Sequence, residues 1–212
     1  MHVAEGVLSP AVLGTGAVLT ALGTTLGLRN LDYEKLLTTG ILAAVFFVAS
    51  LIHIPIGVSS AHLLGVGLLG VFLGWAAFPA ILIALFLQAF FFQYGGLIVL
   101  GVNTLNMALA AVLASYLYHA QRAILAKVIS QRLSLSIAAF LAGSCGVIFA
   151  ALFTAAALAF SHEGFQAAAL ALLLAHLPIM VAEGLLTMLT INFMAKVRPE
   201  FLPKSPKFWG KI

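Results

Sequence analysis

Long apolar runs separated by short polar breaks dominate this chain, and the breaks define its elements. Apolar stretches cover residues 8–28, 36–55, 102–118, 133–160 and 167–195. A helix crossing the roughly 30 Å hydrocarbon core of a bilayer needs about 20 apolar residues, so each stretch predicts a spanning helix. Residues 63–92 form a further run, interrupted by Trp75-Ala-Ala-Phe-Pro79. Proline lacks a backbone donor and pushes the residue before it out of the helical region. The run therefore predicts two short helices, 63–75 and 79–92, with the break near Pro79. Gly95, Gly96 and Gly101 then predict a turn or irregular segment.

The basic residues add an orientation. All ten Lys and Arg fall in three places: Arg29 and Lys35; Arg122, Lys127 and Arg132; and Lys196, Arg198, Lys204, Lys207 and Lys211. Lys and Arg accumulate in cytoplasmic loops, so all three segments are expected inside. Two inner loops must be separated by an even number of crossings. The apolar length between Lys35 and Arg122 favours four, which supports the split of residues 63–92. With two crossings after Arg132 and one before Arg29, the chain is expected to cross seven times, N-terminus outside and C-terminus inside. Residues 1–28 contain no Lys or Arg, unlike a signal peptide, so Met1 is expected on the mature chain.

Composition narrows the class. Hydrophobic residues make up 63% of the 212 and charged residues 8%, against about 25% charged in soluble domains. That excludes a soluble enzyme, a disordered tail and a secreted disulfide scaffold; the single Cys145 cannot form an internal bridge. The expected fold is an all-α polytopic bundle in the cell's plasma or inner membrane, with residues 1–198 as the transmembrane domain and 199–212 as a short basic tail. Its partner surface is lipid, and a surplus of four positive charges gives no reason to invoke nucleic acid.

Nucleotide and hydrolase motifs are missing: there is no phosphate loop, no H-E-x-x-H helix and no G-x-S-x-G elbow. The chain is therefore expected to be no enzyme and to carry no ATPase site. It carries six histidines instead. His119, beside the inner basic loop, and His162, in an outer loop, read as solvated. His53 is expected to end the second helix, and His62 to open the third, both on the outer side. His176 and Glu183 stand two helical turns apart on one face of the last helix. Ionisable groups at that depth usually face a bundle interior or a polar cavity; a hydrogen-bonded pair and a functional role are both open.

His2 carries the sharper argument. An N-terminal amine followed by Xaa-His can chelate a metal through the amine, the deprotonated His2 amide nitrogen and the His2 imidazole Nδ1. Three coplanar nitrogens leave a fourth position, for which His62 lies on the same side. An all-nitrogen square plane suits Ni²⁺ or Cu²⁺, with Co²⁺ close behind. The plain alternative is that His2 is only the second residue of a frayed terminus.

Four stretches together resemble one family: Met1-His-Val-Ala-Glu-Gly-Val-Leu-Ser-Pro10, His53-Ile-Pro-Ile-Gly-Val-Ser-Ser-Ala-His-Leu-Leu-Gly65, Gly95-Gly-Leu-Ile-Val-Leu-Gly-Val-Asn-Thr-Leu-Asn-Met107 and His176-Leu-Pro-Ile-Met-Val-Ala-Glu-Gly184. They are similar to the CbiM/NikM family, the substrate-binding membrane subunits (S-components) of energy-coupling-factor ABC transporters for cobalt and nickel. The resemblance runs from residue 1 to about 195. It implies that Met1, His2 and His62 bind the metal. It leaves His53 as a candidate for an outer shell, and Asn103 and Asn106 as amides that orient the N-terminal segment or the imidazoles. Relatives often have Ile-Pro-Asp where this chain has Val3-Ala4-Glu5; Glu5 is expected to anchor the terminus. His176 and Glu183 join these outer candidates.

The resemblance further implies no permanent cofactor, Co²⁺ or Ni²⁺ as transported substrate, and a link to cobalamin biosynthesis. The implied partners are a transmembrane coupling subunit, two ATP-binding subunits and a small accessory membrane subunit. Gly14, Ala17 and Ala21 offer a close-packing surface, for a partner or within the bundle. Two other readings stay open: an S-component for an organic vitamin, which needs no His2, and an autonomous cation carrier, which wants ionisable residues on several midplane helices.

Overall fold

The computed structural model describes residues 2–202 apart from Asp32, Ile52, Gly57, Val58, Leu63 and Leu64; within 53–62, and at Glu34 and Glu163, only the backbone is described. Residues 203–212 of the tail lie outside the described residues, as does Met1. Among the described residues seven α-helices follow one another: α1 (Pro10–Arg29), α2 (Tyr33–Ala49), α3 (Val66–Leu73), α4 (Ala77–Phe92), α5 (Leu100–Leu125), α6 (Gln131–Ala159) and α7 (Gln166–Val197). Two short strands, β1 (His53–Ile56) and β2 (Ser59–His62), lie between α2 and α3.

Local chemistry sets the ends. Ser9 caps α1 by accepting from the Val12 amide at 3.5 Å, and Pro10 occupies the first helical turn, where its missing donor costs nothing. Asn30 closes α1, its Nδ2 donating to the Leu26 carbonyl at 2.8 Å. The expectation that the second helix continues through residue 55 fails: α2 stops at Ala49. Pro55 has no backbone donor and biases Ile54 toward extended backbone, and residues 53–56 and 59–62 pair as an antiparallel hairpin. His53 therefore opens β1 and His62 closes β2 as a cross-strand pair, not a helix end and a helix start.

The break in the next run is real but begins five residues earlier than Pro79, at Gly74. Gly74 adopts φ +54, and a 3₁₀ turn, Gly74–Ala76, joins α3 to α4. Pro79 falls in the first turn of α4. The chain reverses there. Position 70 abuts Ala111 and position 74 abuts Ser115, so α3 runs parallel to α5. By Gly95 the chain is back beside Asn103, so α4 retraces α5 in the opposite sense. Among the described residues five segments are long and apolar enough to cross a membrane: α1, Val66–Phe92 taken as one length, α5, α6 and α7. With α2 as a shorter apolar helix, the protein is a multi-pass membrane protein.

Small residues hold the helices together. In lipid there is no hydrophobic gain in joining two helices, so close backbone approach and dispersion carry association. On α1 the buried stripe is Gly16, Thr20, Gly23 and Gly27. A Cβ at 23 would strike the Phe78 ring, and one at 27 would come 2.7 Å from the Pro79 Cδ. Thr20 Oγ1 donates to the Gly101 carbonyl at 2.6 Å. Of the three small residues singled out from the sequence, Ala17 abuts Gly101, whereas Gly14 has open space around it. Seams between α3, α6 and α7 are built alike, through Gly67, Gly143, Gly146 and Gly184. Ser144 Oγ donates to the Met180 carbonyl at 3.1 Å across α6 and α7. Large side chains such as Leu22, Phe90, Phe91, Leu189 and Phe193 point outward, as a lipid-facing surface requires.

Candidate metal centre

The segment before α1 is clamped onto the end of the bundle where α4, α5 and α6 meet. Asn103, in the first turn of α5 and nearly fully buried, binds the backbone of Val3 twice. Its Oδ1 accepts from the Val3 amide at 3.0 Å, and its Nδ2 donates to the Val3 carbonyl at 3.2 Å. Val3 itself is wholly buried and packs with Leu8 against Val99, Val102, Ala157 and Leu158. Glu5 Oε1 accepts from the Ile98 amide at 2.9 Å, and Ser161 Oγ accepts from the Ser9 amide at 3.1 Å. Gly96, at φ +121, lies against the Glu5 carboxyl, where a Cβ would collide with it.

His2 is 7% exposed, and its ring is oriented by a residue the sequence reading did not single out. Gln88, on α4 and fully buried, donates through Nε2 to the Phe47 carbonyl at 2.9 Å and to Ser50 Oγ at 2.5 Å. Those two bonds fix the amide, so Gln88 Oε1 must act as an acceptor. It lies 2.9 Å from His2 Nε2. His2 Nε2 therefore carries a proton, and in the neutral ring Nδ1 carries the lone pair. Nδ1 is the ring nitrogen that can close a six-membered chelate with the His2 amide nitrogen. The signal for Gln88 was present in the sequence as the one polar side chain in Ala80-Ile-Leu-Ile-Ala-Leu-Phe-Leu-Gln-Ala-Phe-Phe-Phe92.

The same Gln88 ties this segment to the hairpin. Ser50 follows the end of α2 and stands three residues before His53, whose partner across the ladder is His62. The opposite foot of the hairpin is tied as well: Glu183 Oε1 on α7 accepts from the Gly65 amide at 2.8 Å, three residues past His62. Side chains of His53 and His62 and the position of Met1 lie outside the described residues. Among the described residues no three His, Cys, Asp or Glu side chains form a metal-sized cluster. The expected donor set draws on backbone and terminal nitrogens, which such a cluster does not include.

The remaining candidates separate. Asn106, one turn along α5 from Asn103, donates to Thr154 Oγ1 of α6 at 3.3 Å and makes no described bond to the N-terminal segment. His176 bonds through Nδ1 to the Leu172 carbonyl at 2.7 Å, while its buried Nε2 has no hydrogen-bond partner. Among the described hydrogen bonds none joins His176 to Glu183; each binds a different backbone group. His162 is exposed, with an edge contact to Phe165. His119 is half-buried beside Tyr118.

Comparison with known proteins agrees with this architecture. The sequence model of the CbiM family, described as a cobalt uptake substrate-specific transmembrane region, matches residues 2–201. A Haemophilus influenzae protein named for metal transport is 39% identical over 98% of this chain and 100% of its own length. The cobalt transport protein CbiM of Clostridium tetani is 31% identical over 92% of this chain and 85% of its own. The fused nickel transport protein NikMN of Rhodobacter capsulatus is 36% identical over 86% of this chain and 54% of its own. A crystal structure of a transition metal transporter superposes with a TM-score of 0.73 at 26% identity, over 93% of both chains. With a family match over nearly its whole length, on a bundle of the same fold as a solved transporter, this chain belongs to the CbiM family of substrate-specific transmembrane proteins.

Proposed function

We propose that this chain is the S-component of an energy-coupling-factor transporter that captures Co²⁺ or Ni²⁺ for ATP-driven uptake. Relatives named for cobalt and for nickel support the substrate class. One observation carries the reading to a site: the Gln88 bond that orients the His2 ring through Nε2 beside a backbone clamped by Asn103. The Met1 amine, the His2 amide nitrogen, His2 Nδ1 and a His62 nitrogen form the proposed plane. All four donors must shed protons or be neutral, so capture releases protons and weakens in acid.

The proposed topology is seven crossings with the N-terminus and hairpin outward and the C-terminus inward. The reversal at Gly74 supports it, because α3 and α4 then form two legs between α2 and α5. α3 spans only about 12 Å and α4 about 24 Å, so these two legs are short ones that descend and return within the bundle. Two ATP-binding subunits, a coupling transmembrane subunit and a small accessory subunit would drive release inward, and the metal would feed cobalamin synthesis.

The test is a titration of Ni²⁺ and Co²⁺ into the purified full chain. His2→Ala, and one extra residue before Met1, should each abolish tight binding. An organic-vitamin subunit would be indifferent to both. An autonomous carrier would move ions in vesicles without any ATP-binding subunit. Tight binding by both variants would overturn the reading.

A further inference from the structure

Glu183 is the sole buried carboxylate among the described residues. A carboxyl group at that depth is costly and needs a defined partner. Its Oε1 accepts from the Gly65 amide at 2.8 Å. Gly65 is the N-cap of α3, held at φ +58, with no side chain of its own to cap the helix. The Gly65 carbonyl opens α3 by accepting from Leu69 at 2.8 Å. A helix start is electropositive, so a carboxylate reaching in from α7 supplies what a local cap would otherwise supply.

The position of this bond matters more than its strength. The hairpin has two feet. One, at Ser50, is tied through Gln88 to His2. The other, at Gly65, is tied to Glu183 and comes three residues after His62. The geometry points to Glu183 as a positioning residue that sets the hairpin foot on the His62 side and so holds the fourth nitrogen against the N-terminal chelate. This rests on the four-nitrogen reading and assigns a role inside it.

The experiment uses the full chain in detergent, with Ni²⁺ as probe, affinity by competition with a chelator, and the visible d–d band of square-planar Ni²⁺ as signature. Glu183→Ala should weaken binding about 10- to 100-fold, the usual effect of removing a group that orients a ligand. Its d–d band should move toward that of His62→Ala. Glu183→Gln keeps an oxygen for the Gly65 amide and should bind within about threefold of the parent. The decisive arm is a double-mutant cycle: in a His62→Ala background, Glu183→Ala should cost nothing further. A full additional loss there, or parent-like binding by Glu183→Ala alone, overturns the proposal. Should Glu183→Ala fail to fold by circular dichroism, Glu183→Asp, whose carboxylate is withdrawn by about one methylene, takes its place in the cycle. Parent-like Ni²⁺ binding by His2→Ala and His62→Ala would instead sink the four-nitrogen site itself, which separates the two failures.

Discussion

Replacing Gln88 tests the chain of inference at its narrowest point. Gln88→Met keeps volume and apolar contact on α4 but removes the acceptor at 2.9 Å from His2 Nε2 and the bonds donated to Phe47 of α2 and to Ser50 just after it. The lost His2 bond is worth about 1 kcal/mol net, and a buried N–H left without an acceptor costs about 1–3 kcal/mol. Part of that penalty is present with and without metal and cancels from the binding energy. What remains is the loss of ring orientation and of a fixed tautomer, for which outer-shell substitutions set a scale of about 10- to 100-fold in metal affinity. That factor equals about 1.4–2.7 kcal/mol, inside the range the hydrogen bonds allow. Calorimetric titration of Ni²⁺ into Gln88→Met, beside parent and His2→Ala, measures it. Affinity within twofold of the parent, with His2→Ala inactive, would show that Gln88 does not hold the imidazole and that the tautomer argument is wrong.

Other consequences follow from the same geometry. Asn103→Ala strips both bonds from the buried Val3 backbone and should cost more than tenfold in Ni²⁺ affinity, whereas Asn106→Ala, which loses a bond to Thr154, should bind within about threefold; equal losses would refute the assignment of the clamp to Asn103. Apparent affinity should fall steadily as pH drops from about 8 to about 6, because the amine and imidazole donors must shed protons to bind the metal. A flat profile across that window would contradict nitrogen ligation by these groups. Gly70→Ala drives a Cβ into the Ala111 backbone, which cannot give way, and should destabilise the fold by about 3 kcal/mol or more, while Gly14→Ala, in open space, should change stability by less than about 1 kcal/mol; thermal unfolding in detergent measures both.

The helices were legible where apolar length alone decides, and less so where backbone sterics decide. The runs that became α1, α6 and α7 needed only hydropathy. α5 outran its apolar stretch and continued to Leu125, because Tyr118–Leu125 includes strong helix formers that extend past the membrane-like run. The β hairpin was hidden because β1, with Ile54 and Ile56, continues the apolar run of α2; Pro55, Gly57 and the polar Ser59 and Ser60 are the signs that distinguish residues 53–62 from a helix. The break between α3 and α4 was drawn at Pro79 because proline is a strong breaker in isolation, yet Gly74 at φ +54 is what turns the chain. Proline in a first turn breaks nothing, and a lone glycine in an apolar run carries no visible sign of its dihedral.

The site was legible only in part because its donors include main-chain atoms. In a membrane bundle the helices consume their own amides, so backbone nitrogens free to meet a ligand can come only from segments outside helices. Three such segments gather at one end here: residues 2–8 before α1, the hairpin, and the stretch between α4 and α5. Gln88, Asn103, Glu5 and Glu183 are the side chains that fasten those segments to the helices. A polar residue in an apolar helix of this fold is therefore best read by which non-helical backbone it can reach. By that criterion Gln88 belonged with Asn103 from the start, while Asn106, which reaches only Thr154, belongs to the packing between α5 and α6.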